Sequence, residues 1–291
     1  MSSYYFSPHK KRSLLRTWFS NLNITTSLIF INVILFILAL IAEVILKTYF
    51  DTSLMSFLAL QANSFFNQGY VWTLLTSMFM HANFIHLFVN MFSLFFLGNF
   101  LEMIIGKKRF IWVYLFSGIF AGLFFVLLSY FFGSGLGTRI FASPETYAVG
   151  ASGAIFAIAG VLAVLTPKNR VYLIAGPLIA IILQVILEIF IKETAILNLL
   201  NIIVTVYIIF SIFSIISPFG RMKRWALPLE MPFWILPIVA IVPLVIIGLF
   251  LALPIGNMAH LGGVLAGIGY GLYLKFKYKK KTQMIAKYFS K

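Results

Sequence analysis

From Thr25 to Leu46 the chain reads TTSLIFINVILFILALIAEVIL, an apolar run broken by one charge, Glu43. Roughly 20 apolar residues are what a helix needs to cross about 30 Å of hydrocarbon. This run is too long for a signal peptide and shows no small-residue cleavage site, so it reads as a retained anchor. Similar runs recur to the C-terminus. Eight spans are predicted, at about 25–46, 84–101, 110–132, 152–166, 171–190, 195–217, 232–252 and 257–275.

Composition agrees. Of 291 residues, 62% are hydrophobic and 10% charged, whereas a soluble domain carries roughly 25% charged residues to cover its surface. The formal charge of +15 comes from 22 Lys and Arg against 7 Asp and Glu. These cations cluster between the apolar runs, as cytoplasmic loops do, a placement that argues against a nucleic-acid partner. With the N-terminus inside, 19 cations fall on inner segments, and Lys47, Arg139 and Lys192 alone fall outside. That asymmetry predicts an even number of spans with both termini cytoplasmic. The chain divides into a basic tail (1–23), a transmembrane domain (24–275) and a second basic tail (276–291). The absence of cysteine excludes disulfides and a thiol nucleophile.

Two outer segments are unusual. Residues 47–83 form a long aromatic connection with Trp72, whose apolar stretches are too short to span, as in an interfacial or re-entrant element. Residues 133–151 are rich in Gly, Ser and Thr and lead straight into Ser152. Irregular backbone near the membrane survives only where protein or trapped water satisfies it.

His81, His86, His260 and Ser152 all lie at the outer ends of spans that run inward; the fourth histidine, His9, sits in the basic tail. With about 1.5 Å of rise per residue, Ser152 stands about 24 Å above Lys168, His260 about 22 Å above Lys275 and His86 about 24 Å above Glu102. Three polar groups on three helices thus reach one height. Asn90, four residues after His86, shares its helix face. Taken singly, a membrane Ser bonds its own backbone, a His is as often structural, and an Asn glues helices. Their coincidence points to a polar cavity. Gly153 with Ala157, and Gly263, Gly267 and Gly271 at four-residue spacing, offer smooth faces for close helix approach.

Peptide hydrolysis in a membrane has few chemical routes. No His-Glu-x-x-His zinc motif is present, and His81 and His86, five apart, point about 140° away from each other on a helix. An aspartyl mechanism needs two carboxylates sharing a proton, and the one Asp, Asp51, is in the outer loop. A serine mechanism needs a nucleophile, a base and oxyanion donors, all of which are available. No carboxylate lies at the height of His260, which favours a Ser–His dyad over a triad. No metal or other cofactor is called for.

At these residues the chain resembles the rhomboid family of intramembrane serine proteases. The matching motifs are His81-Ala82-Asn83-Phe84-Ile85-His86-Leu87-Phe88-Val89-Asn90-Met91, Gly150-Ala151-Ser152-Gly153-Ala154 and Ala259-His260-Leu261-Gly262-Gly263. The run from Leu101 and Glu102 through Gly106, Arg109 and Tyr114 to Gly118 is also similar to the family's connection between its second and third helices. The resemblance implies an all-α bundle with a six-helix core plus two extra helices. It implies Ser152 as nucleophile and His260 as general base, with His86, Asn90 and the Ser152 N–H at the oxyanion. His81, Gly150 and Gly153 would shape the cavity, and Phe156 would pack on the His260 ring. Substrates would be single-pass membrane proteins cleaved in or near the bilayer, in the cytoplasmic membrane of a prokaryote.

Two departures from the family stand out. The Trp-Arg pair it often carries ahead of the first histidine is Trp72-Thr73 here, which removes the arginine partner expected for Glu102. In addition, 108 residues separate Ser152 from His260 and enclose three predicted spans where the usual core has one. Two other functions fit parts of the pattern. A transporter would use buried polar residues, although buried charges are nearly absent, and an inactive relative would bind membrane helices but usually loses the Ser or the His.

Overall fold

The apolar runs fold as helices in a computed structural model of the chain, which describes residues 23–50, 52–191, 193–216, 220–250 and 256–289. The basic tail before residue 23, with His9, and also Asp51, Lys192 and Lys291, lie outside the described residues. The principal helices are α1 (Ile24–Phe50), α2 (Phe84–Ile105), α3 (Lys107–Phe132) and α4 (Ser152–Leu165). After strand β1 (Arg170–Ile174) come α5 (Ala175–Phe190) and α6 (Thr194–Ile216). Strand β2 (Pro228–Pro232) precedes α7 (Leu236–Gly248), α8 (Asn257–Lys277) and α9 (Lys279–Tyr288).

Each of the eight expected segments contains a helix. Among the described residues, α1, α2, α3 and α6 are long and apolar enough to cross a membrane, while α4, α5 and α7 are shorter apolar helices. The chain is an integral membrane protein, mostly helical. It is not all-α, however. β1 and β2 pair antiparallel, Tyr172 opposite Glu230, so the segment expected to be helical from 171 starts as a strand. Val171 and Tyr172 favour extended backbone, and the Arg170–Glu230 ion pair at 4.0 Å reinforces the register. A partner strand almost 60 residues away supplies the ladder, which no local pattern reveals.

The core is a three-helix contact of α3, α4 and α8. α4 is buried on nearly every side, and small residues make this possible. A Cβ on Gly263 would lie 2.1 Å from the Gly153 carbonyl oxygen, one on Gly267 2.1 Å from that of Ala157, and one on Gly160 2.7 Å from that of Val264. On the α3 side, a Cβ on Gly153 would meet the Ala121 methyl at 2.8 Å. The backbones therefore touch along the glycine ladder. At 14 residues α4 is about 21 Å long, shorter than a typical hydrocarbon core of about 30 Å.

The long connection between α1 and α2 breaks into short helical turns, including Ala62–Gln68 and Thr73–Thr76. Leu60 and Ala148 exchange backbone hydrogen bonds of 3.0 and 2.7 Å, and the Gln61 side chain donates to the Glu145 carbonyl at 2.7 Å. These bonds join the two irregular segments to each other just ahead of Ser152 and satisfy backbone groups that no helix or strand pairs.

Glu102 has a partner the sequence did not reveal. Its carboxylate accepts from the Ile24 and Thr25 N–H groups at 2.8 Å each and from the Thr25 hydroxyl at 2.7 Å. The first N–H groups of a helix have no intrahelical acceptor and carry the positive end of its dipole, so the start of α1 takes the place of the missing arginine.

Candidate active site

Ser152 is the first residue of α4 and His260 lies in the first turn of α8. The glycine ladder brings these helix starts together, leaving Ser152 Oγ 2.8 Å from His260 Nε2. With Nε2 unprotonated, the hydroxyl donates to it. His260 Nδ1 is buried and has no hydrogen-bond partner among the described residues. The Phe156 ring, one turn below Ser152, stacks on the imidazole with centroids 4.3 Å apart and planes 19° apart.

The other wall comes from α2. Asn83 caps this helix, its side-chain oxygen accepting from the His86 N–H at 2.8 Å. Nδ1 of His86 accepts a long bond of 3.4 Å from the Ala82 N–H, which leaves the proton on Nε2. Asn90 is buried, and its Nδ2 has no partner among the described residues. Both groups converge on Gly150, where a Cβ would lie 2.9 Å from His86 Nε2 and 3.4 Å from Asn90 Nδ2. Gly150 also has φ +121°, a conformation that L side chains rarely adopt, and its N–H is tied to the Ser77 carbonyl at 2.8 Å. The His86 and Asn90 side chains therefore gather against Gly150, two residues before Ser152 and at the positive end of α4.

His81 is buried with its ring 5.3 Å from that of His86, edge to face. Burial, and then His86 nearby, bring its pKa down to about 4, so it is neutral at physiological pH. Every residue picked from the sequence falls within this one region. Asn83 was not among them, although an Asn directly before an apolar run is an N-cap signal. Asn257 was also missed. It is buried one turn before His260 and donates to the Leu244 carbonyl at 3.4 Å.

These features define a mostly helical membrane protein with a serine–histidine pair at the starts of two packed helices. The family model of the Rhomboid domain matches residues 68–203, somewhat less than half of the chain, and over that stretch the chain is similar to the rhomboid family. "Putative rhomboid protease YdcA" of Bacillus subtilis (strain 168) is 38% identical over 93 residues, 32% of this chain and 40% of that protein. "Inactive RHOMBOID-like protein 8" of Arabidopsis thaliana is 42% identical over 57 residues, 20% of this chain and 16% of that protein. The matched stretches thus span less than half of either relative. His260 lies beyond the 68–203 match, so its inclusion in the site rests on its contact with Ser152.

Proposed function

We propose that the protein is an intramembrane serine endopeptidase that hydrolyses peptide bonds in or near transmembrane segments through a Ser152–His260 dyad. The observation that carries this reading is the 2.8 Å approach of Ser152 Oγ to His260 Nε2. In this mechanism Nε2 takes the hydroxyl proton as Oγ attacks the scissile carbonyl. His260 then returns the proton to the leaving amine, and water hydrolyses the acyl-enzyme. Negative charge developing on the carbonyl oxygen is met by His86 Nε2–H, Asn90 Nδ2–H and the Ser152 N–H, donors already fixed in place. Single-pass membrane proteins are the proposed substrates.

Helices α1 to α8 each cross the bilayer in this reading, with both termini cytoplasmic, because the cations divide so unequally between alternate connections. A bacterial cytoplasmic membrane is the proposed location. The added pair is α5–α6: the β1–β2 ladder closes its base, and α6 packs Val204, Ile208 and Ile212 outward against Ile85, Phe88 and Phe92 of α2. α7, in contact with both α4 and α8, completes the six-helix core.

The inactive Arabidopsis relative motivates a second reading, a non-catalytic binder of membrane helices. One gel separates the two. A fluorophosphonate probe should label the protein but not Ser152→Ala, and Ser152→Ala should also abolish cleavage of a single-pass reporter. Unlabelled protein, or cleavage that persists in Ser152→Ala, would remove the protease reading.

A further inference from the structure

α9 leaves the end of membrane helix α8 after one residue, Tyr278, and turns back on the bundle, touching α4 and α8. One face is used up by that packing. Thr282 is buried, Ile285 and Ala286 are half-buried, and Phe289 meets the Phe100 ring edge to face at 5.0 Å. Tyr278 is anchored as well: Arg109 Nη2 donates to its hydroxyl at 3.0 Å, and the guanidinium lies over its ring. The helix is therefore held with a fixed face outward.

That outward face has an unusual composition. At about 100° per residue, Lys280, Met284, Tyr288 and Lys281 follow one another around a single arc of roughly 100°. The lysines are exposed, and so are the two apolar side chains between them, Met284 at 71% and Tyr288 at 75%. Phe276, on the last turn of α8, is 90% exposed. Lysines alone would suit water or any polyanion. Lysines flanking bare apolar side chains, at the end of a membrane helix, suit the layer where acyl chains meet phosphates.

We propose that α9 lies in the membrane interface and binds anionic phospholipid headgroups, with Lys280 and Lys281 on the phosphates and Met284 and Tyr288 among the upper acyl carbons. Because α9 packs on α4 and α8, lipid binding also holds the inner ends of the two helices that carry Ser152 and His260. The proposal rests on membrane embedding and does not depend on proteolysis.

The sequence has no cysteine, so Met284→Cys creates a single labelling site for an environment-sensitive fluorophore in the full-length protein. In vesicles of phosphatidylcholine mixed with phosphatidylglycerol, its emission should shift to the blue relative to pure phosphatidylcholine, with stronger quenching by brominated lipid. High salt should reverse the shift. Replacing both lysines (Lys280→Gln, Lys281→Gln) should weaken the anionic preference by on the order of tenfold. Identical emission in both vesicles, insensitivity to salt, or a response that survives the lysine replacements would each overturn the proposal.

Discussion

The Phe156 ring lies flat against the His260 imidazole, 4.3 Å between centroids. His260 has no hydrogen-bonded carboxylate to orient it, and its Nδ1 has no partner among the described residues. Stacking is thus the main restraint that keeps Nε2 on the Ser152 hydroxyl. Phe156→Ala should lower the rates of fluorophosphonate labelling and reporter cleavage by about 10- to 100-fold, the usual cost of a reacting group misplaced by an ångström. Phe156→Tyr, which keeps the ring, should retain most activity. Full activity in Phe156→Ala would make the stacking incidental.

Gly150 faces two independent objections to a side chain. Its φ of +121° strains any L residue, and a Cβ would approach His86 Cε1 to 2.8 Å. Gly150→Ala should push the His86 ring away from its place beside Ser152 and reduce the labelling rate by on the order of 100-fold. Backbone strain should also destabilise the protein by about 1–3 kcal/mol. Labelling kinetics measured well below the unfolding midpoint separate the two effects.

The α4–α8 contact predicts opposite outcomes at two glycines of one helix. A Cβ on Gly267 would sit 2.1 Å from the Ala157 carbonyl oxygen, while one on Gly269 meets nothing within 4 Å. Gly267→Ala should force the helices apart, costing about 1–3 kcal/mol and lengthening the Ser152–His260 approach. Gly269→Ala should be neutral or stabilise by up to about 1 kcal/mol, since alanine is the better helix former. Detergent unfolding titrations of both variants give the comparison, and equal destabilisation would argue against backbone contact along the ladder.

The features legible in the sequence were those written locally. Apolar run length gave the helices, glycine spacing foreshadowed the α4–α8 contact, and ordered motifs singled out Ser152, His260, His86 and Asn90. What stayed hidden depends on a distant partner. Val171 and Tyr172 sit in an apolar run that reads as helix until β2 is supplied from beyond residue 227. The basic run after Lys277 reads as a loose tail until Phe100 and the ends of α4 and α8 offer a surface. Trp72-Thr73 offers Glu102 no arginine, but the start of a helix serves an anion equally well.

Glu102 is 6% exposed and accepts three hydrogen bonds from Ile24 and Thr25. It therefore fastens the start of α1 to α2 at the far end of that helix from His86, 16 residues or about 24 Å away. Hydrogen bonds to a charged group contribute about 1.5–3 kcal/mol, and losing the acceptor leaves buried donors unsatisfied. Glu102→Gln keeps the shape but turns an amide NH2 toward N–H donors, so it should lower stability by about 2 kcal/mol, and Glu102→Ala by more. Thr25→Val removes one bond of the three and should cost less than either. Because the anchor is remote from Ser152, labelling rates at low temperature should stay near those of the unsubstituted protein while the thermal midpoint falls. A loss of labelling without a loss of stability would instead place Glu102 in communication with the site, which a purely anchoring carboxylate cannot explain.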